Sequence, residues 1–185
     1  MRIITVLLSV ALIATGAVAA FVYSGLDPVG ADTPHYSATY WVLDFARERS
    51  IERAIKDIEV PDLENSEWLL AGGADYEDMC SGCHLRPGMG ESDLSVGLYP
   101  SPPNLTIPRY IHRQNTPSGR TEKDAQRQFW IIKHGIKASG MPAWGPTHDD
   151  ERIWAIVAFL QNLPDLNAEQ YQILTARGEQ NGMHH

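Results

Sequence analysis

The sequence has little cysteine: Cys80 and Cys83 are the two in its 185 residues. A disulfide between residues this close would close a very short loop and would hardly restrict the unfolded chain. A structural zinc site usually takes four ligands, and there is no second cysteine pair to complete one. Thioredoxin-like redox pairs share the spacing but lie in alternating strand and helix sequence, whereas no strand periodicity is present here. The absences weigh against all three interpretations.

Positive charge is also scarce, and the formal net charge is −8. An acidic chain of this kind is a poor partner for nucleic acid. The charge is uneven, because residues 25–66 carry nine acidic and four basic side chains, whereas residues 106–137 carry seven basic and two acidic ones. The basic segment could orient an acidic redox protein partner, or it could be an ordinary solvated surface. Internal repeats and a nucleophile motif are missing as well, so nothing indicates an enzyme.

Charge of either sign is missing from Ile3 to Tyr23. At about 1.5 Å of rise per residue, a helix over this run would cross the ~30 Å hydrocarbon core of a bilayer. Arg2 precedes the run and acidic residues follow it, which favours a cytoplasmic N-terminus. A cleaved signal peptide is the alternative, with Ala-Val-Ala at residues 17–19 as its cleavage site. We expect a transmembrane anchor over residues 1–24, and both interpretations export the rest of the chain.

An amphipathic helix is predicted at about residues 40–58, within a linker that covers residues 25–66. Its apolar side chains recur at helical spacing opposite a charged face. They are Trp41, Phe45, Ile51, Ile55 and Ile58. Such a helix could pack on its own domain, on the membrane surface or on a partner subunit. We expect it to pack on its own domain.

Three longer helices are predicted beyond the linker, from apolar periodicity and from start and stop signals. They begin near Ser66, at Glu122, and at Asp149 or Asp150. Residues 86–121 are rich in Gly, Pro, Ser and Asn and are too irregular for long elements. A tail at residues 166–185 holds one more short helix. We therefore expect an all-α fold.

The two cysteines belong to the sequence Cys-Ser-Gly-Cys-His, which ends at His84. Cys-x-x-Cys-His at the end of a helix lets both thiols add to the vinyl groups of one porphyrin, while the imidazole binds the iron. This interpretation uses the histidine as well as both cysteines, and it suits an exported chain with no other thiol. The motif therefore predicts one haem c, bound covalently through Cys80 and Cys83, with His84 as an iron ligand.

Residues 67–165 resemble the class I monohaem c-type cytochromes. Gly72 and Tyr76 precede the first cysteine at four-residue spacing, like that family's glycine and aromatic residue. Ile156 and Phe159 resemble its aliphatic and aromatic pair on the last helix. The resemblance implies the class I cytochrome c fold, in which short helices surround one haem. Because Gly72 has no side chain, the first and last helices of the domain could cross closely there.

The proline-rich segment Pro102-Pro103-Asn104-Leu105 resembles the loop beneath the haem in that family. There a proline carbonyl accepts the hydrogen bond of the iron-binding imidazole. The resemblance implies this role for Pro103, with Pro100 and Pro102 as alternatives.

The second iron ligand must lie well beyond the motif and in a loop, so that it can reach the other face of the ring. Met141 lies between Gly140 and Pro142, and its Met-Pro pair resembles the distal loop of class I cytochromes. We expect Met141 to bind the iron. The competitors are His134, His148, His112, Met89 and Met183. Trp144 and Trp130 could wall the haem crevice or fill the core.

Ligation by histidine and methionine fills both axial positions and places the reduction potential on the higher side. We therefore expect a membrane-tethered electron carrier, not an enzyme, on the periplasmic side of a bacterial inner membrane. It would pass single electrons from a periplasmic or membrane dehydrogenase, or another respiratory donor, to an acceptor such as a terminal oxidase. The alternatives are an integral haem-bearing subunit of a larger membrane oxidoreductase complex, and a ligand sensor or peroxidase in which Met141 leaves the iron.

Overall fold

The computed structural model describes residues 2–107, 109–110, 117–118 and 121–176. The chain divides into two units, Met1–Thr33 and Pro34–His185. The elements of the described residues are, in chain order, α1 (Arg2–Ser24), α2 (Ser37–Ala54), α3 (Ser66–Met79), α4 (Ser81–His84), α5 (Asp93–Gly97), β1 (Arg109–Tyr110), β2 (Pro117–Ser118), α6 (Glu122–His134), α7 (Asp150–Asn162), a 3₁₀ turn (Leu163–Asp165) and α8 (Ala168–Thr175).

The all-α prediction is confirmed, apart from one short antiparallel pair. In that pair, β1 and β2 contribute two residues each. A two-residue strand is too short to show an alternating pattern, so no sequence pattern predicts this pair. The first unit holds α1, which is long and apolar enough to cross a membrane by length and composition.

The core of the second unit is built where α3 crosses α7. A Cβ atom placed on Gly72 would lie 1.9 Å from the carbonyl oxygen of Ala155. The close crossing predicted from Gly72 is therefore confirmed. Ile156 and Phe159, on the same helix as Ala155, are fully buried. From α6, the ring of Phe129 stacks on Trp154 of α7, with centroids 4.1 Å apart.

A second glycine, Gly73, brings α8 onto the other side of α3. A Cβ atom there would lie 2.5 Å from the carbonyl oxygen of Leu174. Tyr171 of α8 is buried and meets the ring of Tyr76 edge-on. The short C-terminal helix therefore belongs to the core, a role that the sequence pattern did not predict.

The amphipathic helix is α2, and its second half packs on the same unit. Ile51 and Ile55 are buried, at 1% and 2% exposure. Close to them, the side chain of Gln126 on α6 donates a hydrogen bond of 2.8 Å to the carbonyl of Ile58.

The first half of α2 differs from its prediction. Trp41 and Phe45 stack on each other but are 65% and 55% exposed. The single apolar face predicted for the helix is therefore divided, because α6 covers only the second half. The helix also ends at Ala54, four residues earlier than predicted.

The remaining helix ends follow local capping chemistry. The helix α3 begins at Ser66, close to its predicted start. The side chain of Asn65, the residue before it, accepts hydrogen bonds from two backbone N–H groups of α3. Asp149 caps α7 and Thr121 caps α6. At the other end of α6, Gly135 adopts a φ of +65°, as a helix-terminating glycine often does.

Candidate functional site

The Cys-x-x-Cys-His sequence forms a tight turn at the end of α3. The backbone N–H of Cys80 still donates to Tyr76 O at 2.9 Å, and the Cys80 carbonyl then accepts from the N–H groups of Cys83 and His84. Both cysteines are free thiols. The turn from Cys80 through α4 thus presents two thiols and an imidazole within five consecutive residues.

Burial distinguishes the first thiol. Cys80 is 8% exposed, and burial, with smaller contributions from Asp75 and Cys83, raises the pKa of Cys80 to about 12. Burial therefore favours the protonated form of this sulfur while it is a thiol, whereas the side chain of Cys83 is half-buried.

The hydroxyl of Tyr76 stabilises the end of the Cys-x-x-Cys-His turn. It donates to the carbonyl of Leu85 at 2.7 Å and lies 3.2 Å from the carbonyl of His84. Leu85 has a φ of +74°, a left-handed conformation that is costly for a residue with a side chain. Tyr76 is fully buried, and burial raises the pKa of its hydroxyl, so it stays a hydrogen-bond donor. The sequence indicates Tyr76 only as an aromatic residue ahead of the first cysteine and does not predict this role.

The imidazole of His84 is oriented by the proline-rich segment. His84 Nδ1 lies 2.8 Å from the carbonyl oxygen of Pro103, and the Leu105 N–H donates back to the His84 carbonyl at 3.2 Å. A carbonyl can only accept, so Nδ1 carries the proton and the lone pair lies on Nε2, the nitrogen suited to a metal. Of the three prolines considered, Pro103 makes this contact.

Met141 is held by a loop that folds back on the end of α6. Its carbonyl accepts from the Ile136 N–H at 3.1 Å, and its own N–H donates to Ser139 Oγ at 3.2 Å. A Cβ atom on Gly135 would lie 2.8 Å from the Met141 carbonyl oxygen. Glycine at the end of α6 therefore permits the close approach of this loop.

The loop stays attached beyond the methionine as well. Trp144 N–H donates to Ile132 O at 3.0 Å, and Gly145 N–H donates to Lys133 O at 2.9 Å. Met141 is thus held by loop residues on its N-terminal side, and the residues after it are tied to the last turn of α6.

These residues share one cavity of about 430 Å³. Cys80, Cys83, His84 and Met141 all line it. Much of the remaining lining is apolar and comes from Leu98, Pro100, Pro102, Pro103, Leu105, Ile131, Ile132, Ile136, Trp144 and Leu160. Two thiols, an imidazole and a thioether facing an apolar cavity form a donor set that fits a haem.

The competing ligands are held elsewhere in the part of the chain that is described. His148 Nε2 lies 3.2 Å from Met79 Sδ, and its Nδ1 lies 2.8 Å from Thr147 Oγ1. Burial lowers the pKa of His148. His134 is exposed and packs against Trp130, and Met89 is 38% exposed. His112 and Met183 lie outside the described residues.

The two tryptophans have different positions. Trp144 lines the cavity and meets His148 edge-on, whereas the contact of Trp130 is with the ring of His134. Of the basic segment predicted at residues 106–137, Arg113 and Arg120 lie outside the described residues, whereas Lys123, Arg127 and Lys133 lie on α6.

Four cavity residues were missed by the sequence analysis because they come from a distant element. Tyr40, Arg47, Glu48 and Ile51 of α2 line the same cavity. The helical pattern placed Arg47 and Glu48 on the solvent side, and no local signal shows which charged residues of an amphipathic helix lie at the edge of a neighbouring site.

Comparison with known proteins agrees with this geometry. Residues 69–160 match the family described as "Cytochrome C oxidase, cbb3-type, subunit III". The matched region contains the Cys-x-x-Cys-His turn and Met141. No curated protein and no solved structure matches the chain. A cytochrome c domain implies covalently bound haem c and electron transfer. Over residues 69–160 the chain is therefore a class I monohaem c-type cytochrome.

Proposed function

We propose that this protein is a membrane-tethered electron carrier that binds one haem c through Cys80 and Cys83. His84 and Met141 bind the iron. The observation that carries the proposal is that all four residues line one largely apolar cavity, although Met141 comes from a different element. When bound, the haem supplies a one-electron change between ferric and ferrous iron.

Residues of the chain orient the iron ligands and influence the reduction potential. The hydrogen bond from His84 Nδ1 to Pro103 O, at 2.8 Å, orients the imidazole and strengthens it as a ligand. A methionine sulfur as the second ligand would favour ferrous iron and a higher potential. Because His84 and Met141 would both bind the iron, no position would be left for oxygen or another substrate, which supports electron transfer over catalysis.

The N-terminal helix supports a tether. We assign residues 1–24 as a membrane anchor, 25–66 as a linker with an amphipathic helix, 67–165 as the haem domain and 166–185 as a tail. The helix α1 has the length and apolar composition of a membrane span. With a cytoplasmic N-terminus, as the position of Arg2 favours, the haem domain lies on the periplasmic side of a bacterial inner membrane.

The donor is a periplasmic or membrane dehydrogenase or another respiratory donor, and the electrons pass to an acceptor such as a terminal oxidase. The description of the matched family, which names a cytochrome c oxidase subunit, supports the acceptor. To test it, the purified protein is reduced and mixed with oxidase-containing bacterial membranes. We expect the reduced haem band to decay in the presence of oxygen and to persist when cyanide is added. Decay at the same rate without membranes would contradict the proposal.

The same family description favours a second candidate, an integral haem-bearing subunit of a larger membrane oxidoreductase complex. Purification in mild detergent separates the two. A haem protein that elutes as a single chain supports the free carrier. Further chains that stay with it at constant ratio through two chromatographic steps support the subunit.

A further inference from the structure

We propose that α2 forms one wall of the haem cavity, and that Arg47 and Glu48 on it set the charge beside the cofactor. Arg47, with Arg127 of α6, binds the carboxylates of the haem propionates. The inference rests on the proposed haem site and extends it to a helix that precedes the matched region, residues 69–160.

The packing of α2 makes it a fixed part of the site. Ile51 lines the cavity and is 1% exposed. One turn before it, Arg47 and Glu48 line the same cavity. A helix held through a buried isoleucine cannot swing away without exposing the core, so it is part of the wall and not a free arm.

An ion network joins α2 to α6 at the rim of the cavity. The Arg47 guanidinium lies 2.5 Å from Asp44 and 3.1 Å from Glu48, and Arg127 lies 2.8 Å from Glu48. Their side chains are between 23% and 36% exposed. Such half-buried charges are screened less than charges in open solvent.

The chemistry of the cofactor explains why arginines stand there. A haem is apolar except for its two carboxylates, which need cationic partners at the edge of an apolar cavity. Arginine offers a planar fork that matches a carboxylate. Among the cavity-lining residues that the structure describes, Arg47 and Arg127 are the arginines, and no lysine is present.

The network also predicts opposite effects of opposite charges on the iron. A nearby positive charge disfavours ferric iron, which carries one more charge than ferrous iron, and so raises the reduction potential. A nearby negative charge lowers it. Arg47 and Glu48 should therefore move the potential in opposite directions when each is neutralised.

The test is spectroelectrochemical titration of the full-length holoprotein and its variants. We expect Arg47→Gln to lower the ratio of reduced to oxidised protein, at a fixed electrode potential, by about threefold to tenfold. Glu48→Gln should raise the same ratio, and Arg47→Lys, which keeps the charge, should restore most of the parent value. Arg49→Gln is the matched control, because Arg49 lies on the same helix but is 69% exposed and pairs with Glu52. Its ratio should change less than twofold.

Two results would overturn the proposal. One is equal shifts in Arg47→Gln and Arg49→Gln, and the other is a shift of the same sign in Arg47→Gln and Glu48→Gln. If Arg47→Gln gives no folded holoprotein, the ratios of reduced to oxidised protein in Glu48→Gln and Arg47→Lys still test the proposal. A ratio that does not rise in Glu48→Gln would contradict it. A parent protein without covalent haem would instead refute the proposed function, so the two failures are distinguishable.

Discussion

Met141 is the residue on which the redox role depends most directly. Its loop is fixed by hydrogen bonds to Ile136 and Ser139, so removing the sulfur should leave the backbone in place. We expect Met141→Ala to keep covalent haem, bind carbon monoxide in the ferrous state and have a lower potential than the parent.

The check on Met141 is optical. The ferric parent should show a weak sulfur-to-iron charge-transfer band near the red end of the spectrum, and Met141→Ala should lack it. Met89→Ala is the control, since Met89 is exposed and was a competing ligand. A Met141→Ala spectrum and potential equal to those of the parent would show that another residue binds the iron.

Tyr76 supports the turn that carries His84. Tyr76→Phe keeps the buried ring but removes the hydroxyl that donates to the Leu85 carbonyl. Because a buried acceptor then loses its partner beside a left-handed residue, the free energy of unfolding should fall by about 1–3 kcal/mol. Denaturant unfolding of the holoprotein measures the change, with the exposed Tyr36→Phe as control. A loss no larger than that of the control would mean that this hydrogen bond does not hold the turn.

At the scale of elements, the crossing of α3 and α7 gives the sharpest prediction. Gly72→Ala would place a Cβ atom 1.9 Å from the Ala155 carbonyl, so one helix has to move. We expect a loss of about 3 kcal/mol or more, seen as a lower melting temperature.

Gly90→Ala is the control for Gly72→Ala, because a Cβ atom on Gly90 would have no other atom within 4 Å. Its melting temperature should stay close to that of the parent. If Gly72→Ala and Gly90→Ala had the same melting temperature, α3 and α7 would not cross as closely as described.

Many of the helices and their ends could be predicted from the sequence. The second of the three long helices shows apolar periodicity that ends at Gly135, and the third ends before Pro164, so their signals are local. The turn at Cys80–His84 could also be predicted, because its residues are adjacent in the sequence. The pairing of His84 with Pro103 could be suggested only by family resemblance, which left two other prolines open.

The remainder depends on contacts between distant parts of the chain. Trp41 and Phe45 are exposed, whereas α6 pairs with Glu48 and Glu52 further along α2, and a helical pattern does not contain that information. The role of Gly73 depends on α8, which begins about a hundred residues later. Arg47 enters the cavity for the same kind of reason.

At the scale of the whole molecule, the proposed tether depends on whether α1 is retained in the mature protein. If α1 is retained as an anchor, the expressed protein should sediment with membranes and its mass should include residues 1–24. A form in which a cleavable leader replaces these residues should be soluble and have the same haem spectrum. A parent protein found in the soluble fraction, with a mass that lacks the N-terminal residues, would show that the helix is a signal peptide.

The covalent bond between haem and chain is the central claim, and the most direct test is extraction of the denatured protein with acidic acetone followed by intact mass measurement. Through Cys80 and Cys83, both free thiols in the cavity lining, the pigment should stay with the polypeptide, and the mass should exceed that of the chain by one haem. Colour that leaves with the solvent, or a mass equal to that of the polypeptide alone, would contradict the account.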